Sequence, residues 1–111
     1  GYILPELKTL PLRDGHASWQ ADIPDTWIFE DRQVQTVGIA HPDGTPYVTM
    51  HCEEFPMLAI WANPDGPFIC LEPWVGRADD DGFTGTVEDK KDMQALAAGE
   101  KQKIAYQMEF H

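Results

Sequence analysis

The sequence predicts an all-β fold, an antiparallel β-sandwich, on three observations. Apolar, β-branched and aromatic residues come in runs of about four to eight. Gly, Pro, Asn and Asp residues with turn chemistry separate those runs, and only one short stretch has a helical composition. A chain of 111 residues fits one domain that can bury a core of its own.

Taken in order, Trp27-Ile28-Phe29 opens the pattern and leads into residues 34–39, where Val37 and Ile39 alternate with small or polar neighbours as in a half-buried strand. His41-Pro42-Asp43-Gly44-Thr45 reads as a hairpin connection, so the strand that follows, 47–52, should pair antiparallel with 34–39. Pro56 and the turn Asn63-Pro64-Asp65-Gly66 bracket Met57-Leu58-Ala59-Ile60-Trp61. Phe68-Ile69-Cys70-Leu71 is apolar throughout, the mark of a strand buried on both faces. Residues 89–98 are the helical candidate, a turn or two ended by Gly99. The last strand, 104–110, puts Ile104, Tyr106, Met108 and Phe110 on one face. Residues 1–20 show no pairing partner, which suggests that sequence is missing upstream.

Composition narrows the function. With 42% hydrophobic and 11% aromatic residues the chain is too apolar for intrinsic disorder. Its net charge of -11, from 19 acidic against 8 basic residues, repels phosphate backbones and anionic lipids. Nucleic acid and membrane surfaces are therefore poor partners, whereas a neutral polyol needs no charge match. The absence of a long apolar run or a basic-then-apolar leader points to a soluble, cytoplasmic protein. Cys52 and Cys70 lie in apolar runs and read as buried free thiols, too few for a zinc site.

The stretch Phe68-Ile69-Cys70-Leu71-Glu72-Pro73-Trp74-Val75-Gly76 resembles the strand-and-loop signature of aldose 1-epimerase (galactose mutarotase-like) proteins. Three more features fall in that family's order: Asp25 before Trp27-Ile28-Phe29, then Phe55-Pro56-Met57-Leu58-Ala59-Ile60-Trp61, then Leu96-Ala97-Ala98-Gly99-Glu100. The resemblance covers the chain from about Leu10 onward and matches only the C-terminal part of a family member. It implies a galactose mutarotase-like supersandwich whose catalytic histidines lie upstream. It also implies that the missing N-terminal part, or another copy of the chain, is the natural partner of these strands.

Mutarotation removes the proton of the anomeric hydroxyl, protonates the ring oxygen, and closes the opened ring on the other face. One base and one acid suffice, with no metal or organic cofactor. The resemblance makes Glu72 the base; on its residue type alone it could equally be a loop Glu capping a turn. Asp25 matches an acidic residue that hydrogen-bonds sugar hydroxyls, against the plain reading of Pro24-Asp25 as turn chemistry. Trp74 could stack on a pyranose face, or pack in the core as Trp61 is expected to do. His16, His41, His51 and His111 read as surface residues. Asp79, Asp81, Gly82 and Glu88 fall at EF-hand-like spacing from Arg77, but Arg at the first ligand position opposes a cation. Residues 77–90 are expected to form a loop at the pocket rim with solvated carboxylates, and Lys90 and Lys91 to be ordinary surface charge. Two rival functions are a non-catalytic carbohydrate-binding sandwich and a hexose-6-phosphate 1-epimerase, the latter needing Arg or Lys around the pocket.

Overall fold

The computed structural model describes residues 1–19, 23, 25–63 and 65–111. Six strands, β1 Trp27–Phe29, β2 Thr36–Ala40, β3 Pro46–His51, β4 Met57–Ala62, β5 Ile69–Trp74 and β6 Gln107–Phe110, form two antiparallel three-stranded sheets. The first has the order β1-β4-β5 and the second β2-β3-β6. The chain is all-β, and helical structure among the described residues is limited to one 3-10 turn, Val87–Asp89. Among the described residues no helix is long and apolar enough to cross a membrane.

The expected hairpin is formed. The His41 amide donates to the Thr45 carbonyl at 2.8 Å, and Gly44 takes the left-handed φ of 87° that closes the turn. Asp43 accepts from both the amide and the hydroxyl of Thr45, at 2.9 and 2.7 Å. The β2–β3 register shifts between Ile39 and Ala40, a bulge that absorbs the extra residue of this connection. Gly38 is needed where it stands, because a Cβ there would lie 2.7 Å from the Val48 carbonyl oxygen.

β4 is the centre of the first sheet. Its neighbours satisfy both backbone edges, so its side chains bury on both faces, with only Trp61 partly exposed. The both-faces burial expected of residues 68–71 belongs to β4 instead. β5 is an edge strand, half-buried along its length, and runs three residues past Leu71 through Glu72, Pro73 and Trp74. An edge position is what permits Pro73 in a strand, since its missing N–H breaks no ladder. Leu58 and Ile60 of β4 join Met50 of β3, Cys52 and Ile23 in one core cluster. Trp27, Phe29, Val37, Ile69 and Leu71 pack around it, so both sheets feed the same core. Leu58 is 1% exposed. Leu58→Ala is accordingly expected to cost about 2–5 kcal/mol of stability, against about 0.5 kcal/mol or less for Phe110→Ala at a 79% exposed position. Urea unfolding of the two variants checks the contrast.

Three expectations need correction. The helix over 89–98 is not formed: after the 3-10 turn Lys90 is extended and Asp92 takes φ 55°, and Leu96 is exposed. The last strand is shorter than 104–110, starting at Gln107, and its Met108 and Phe110 are exposed. The leader does find a partner, because the Ile3 amide donates to the Asp79 carbonyl at 2.8 Å and the Asp81 amide to the Ile3 carbonyl at 2.9 Å. Long irregular segments of this kind give a radius of gyration of 15.8 Å, above the ~13 Å of a compact 100-residue domain. Within the turn at 63–66, Gly66 donates to the Asn63 carbonyl at 3.0 Å; Pro64 lies outside the described residues.

Candidate functional site

Strand alternation builds the site from β5. Cys70, Glu72 and Trp74 point to one face of the first sheet, while Ile69, Leu71 and Pro73 point to the other, where Ile69 and Leu71 meet the core. Glu72 is therefore within the strand, paired opposite Ala59, whose small side chain is fully buried. Two residues on, the Trp74 indole Nε1–H donates to Glu72 Oε2 at 3.1 Å. This bond fixes one carboxylate oxygen and leaves the other as an acceptor. Burial is the largest cause raising the Cys70 thiol's pKa, followed by the Glu72 carboxylate, which keeps it protonated as a neutral neighbour.

Trp74 also lines an open groove of about 340 Å³ with Gly76, Arg77, Ala78 and Met93. Glu72 is not on the groove wall itself; it is linked to it through the indole. Trp61 packs beside Phe68, ring centroids 5.4 Å apart, but partly exposed and outside the core cluster, not in the core position expected of it.

Asp25 is not brought into contact with this pair. It is exposed, and its Oδ1 accepts from the Thr26 amide at 2.7 Å, local turn chemistry. β4 separates β1 from β5, so two strand spacings, about 10 Å, lie between the two strands. Pro24, the other half of the expected turn pair, lies outside the described residues.

The groove's second wall is held by an ion network not legible beforehand. Glu30, the residue after β1, accepts from Arg77 Nε through Oε1 and from Lys91 Nζ through Oε2, the latter at 3.0 Å. Arg77 also binds Asp80 at 2.8 Å, and Lys91 binds Asp31 at 3.2 Å. Burial alone pulls the Arg77 guanidinium down, but Asp80 and Glu30 outweigh it and leave its pKa above the ordinary value. Lys91 is raised too, chiefly by Glu30 and then by Asp31. The 77–91 segment is thus tied to β1, and Lys90 and Lys91 are paired rather than idle surface charge; Lys90 meets Asp79 at 3.0 Å. In the calcium-like spacing Asp79 faces a lysine of its own chain.

The histidines gather elsewhere. His51 lies 3.5 Å from Glu109 across the second sheet, and His111 meets Thr49 at 2.9 Å. His41 packs edge-on to Tyr47 in the hairpin, and His16 bonds the Asp14 carbonyl at 2.8 Å.

Comparison with protein families, with characterised proteins and with solved structures finds no match for the chain.

Proposed function

We propose that this chain is the C-terminal part of an aldose 1-epimerase-type isomerase of the galactose mutarotase-like supersandwich fold, with Glu72 as the base. The observation that carries the reading is the Glu72–Trp74 pair, a carboxylate oriented by an indole N–H at the edge of a groove. An aromatic face and a carboxylate together suit a sugar, whose ring offers an apolar C–H face and a rim of hydroxyls. Glu72 would accept the anomeric proton while an acid protonates the ring oxygen. A histidine of an N-terminal part of the same fold would be that acid, since this chain's histidines are placed on the leader and the second sheet. Asp25 would bind a hydroxyl only of a sugar long enough to span β4, or through a rearranged turn. Acid–base chemistry of this kind asks for side chains alone, in a cytoplasmic protein acting on a small neutral sugar.

That same placement of the histidines favours a second reading, a non-catalytic carbohydrate-binding module. A hexose-6-phosphate epimerase is less well supported. The groove's one guanidinium, Arg77, is already held by Glu30 and Asp80, and a phosphate would have to displace them.

Polarimetry of freshly dissolved α-D-glucose and α-D-galactose with the full-length protein tests the proposal. Accelerated mutarotation is expected. Sugar-dependent quenching of tryptophan fluorescence without acceleration would select the binding module, and neither effect would remove both.

A further inference from the structure

Arg77 lines the groove beside Trp74, and its guanidinium is only partly used. Of the five N–H groups that a guanidinium carries, the one on Nε goes to Glu30, and those on Nη1 go to the Ala78 carbonyl at 3.2 Å and to Asp80 at 2.8 Å. Nη2 has no hydrogen-bond partner among the described residues. It is not sealed in either. The buried and unpaired side-chain polar atoms of the described residues are Asp79 Oδ1 and Asp92 Oδ2, so Nη2 reaches accessible surface although the Arg77 side chain as a whole is 8% exposed.

Glu30 and Asp80 grip the planar fork from two sides, so the direction of Nη2 is set before anything binds. The charge around it is already balanced. Arg77 and Lys91, the cations of the network, face the carboxylates of Glu30, Asp31 and Asp80, and the free edge therefore donates hydrogen bonds without a net positive field. A phosphate or a sugar acid gains little from such a group, whereas a neutral hydroxyl needs only the donor. We propose, on the reading of Glu72 and Trp74 as a sugar site, that Arg77 Nη2 donates to a hydroxyl of the bound sugar and makes Arg77 a specificity-determining residue for neutral aldoses. Trp74 links the two ends of the site, since its N–H holds Glu72 and its side chain shares the groove with Arg77. A pyranose stacked on that indole with its anomeric hydroxyl at Glu72 can offer Arg77 a hydroxyl remote from C1.

The test measures kcat/KM for mutarotation of D-glucose and of its 3-deoxy, 4-deoxy and 6-deoxy analogues with the full-length protein, with Arg77→Lys and with the double variant Glu30→Gln/Arg77→Met. Dissociation constants from tryptophan quenching repeat the comparison for binding alone. Lysine keeps a cation for Glu30 and Asp80 but lacks the Nη2 donor, and the double variant, which removes both charges of the inner pair, serves if Arg77→Lys does not fold. The native protein is expected to lose about tenfold or more on one analogue, the variants to lose as much on glucose, and the variants to lose nothing further on that analogue. Glucose 6-phosphate should bind no more tightly than glucose. Variants as good as the native protein, or slowed by one common factor on glucose and on every analogue as a merely structural arginine requires, would overturn the proposal and leave the isomerase reading standing. An Arg77-dependent preference for glucose 6-phosphate would overturn it too. A native protein that neither turns over nor binds glucose would remove both.

Discussion

Glu72→Gln is expected to slow mutarotation by about 10²–10⁴-fold, the usual contribution of a positioned base. The substitution keeps size and shape, and the amide oxygen can still accept from Trp74 Nε1, so the strand and the groove should survive. What the amide cannot do is take a proton. The loss should therefore appear in kcat, with KM nearly unchanged. Trp74→Phe supplies the contrast. It keeps an aromatic face for the sugar but removes the N–H that holds Glu72 Oε2 at 3.1 Å, a charge-assisted bond worth about 1.5–3 kcal/mol. A rate loss of about tenfold or more should follow, smaller than that of Glu72→Gln. Polarimetric kcat and KM for both variants decide the matter. A Glu72→Gln protein as fast as the native one would end the isomerase proposal, and equal effects of the two changes would mean that Glu72 acts only through the indole.

Much of the β architecture was legible because it follows from local chemistry. Val37 and Ile39 alternate as a half-buried strand must, and the turn chemistry of residues 41–45 returns the chain on itself through the His41–Thr45 bond. What local pattern could not supply was which apolar run lies in the middle. Residues 57–61 and 68–71 are similarly apolar, and only the pairing with β1 makes β4 central and β5 an edge. The same limit hid the end of β5: Pro73 reads as a strand stop unless the strand is known to have a free edge. At the site, Glu72 and Trp74 could be singled out because they are two residues apart and so share a face of any strand. Glu30 could not, since its partners Arg77 and Lys91 are 47 and 61 residues away, and nothing in a charge run tells which of its members will be buried.

That network carries the second large effect. Arg77→Met is expected to lower the stability of the chain by about 3 kcal/mol, within the usual range for breaking a buried pair from one side. The Arg77 side chain is only 8% exposed and Glu30 23%, so removing the guanidinium leaves a half-buried carboxylate with Lys91 as its remaining cation. The outer pair, Lys90 with Asp79, is more exposed, and Lys90→Met should cost under about 1 kcal/mol. The decisive variant is the double one. Glu30→Gln combined with Arg77→Met buries no unpaired charge, and desolvating the original pair was itself unfavourable, so the double change should recover at least half of the single loss. Urea unfolding of the three proteins gives the coupling energy directly. Additive losses would mean that Glu30 and Arg77 act independently, and that the 77–91 segment is held against β1 by Lys91 instead, its backbone bridge to Ile3 tying it only to the leader.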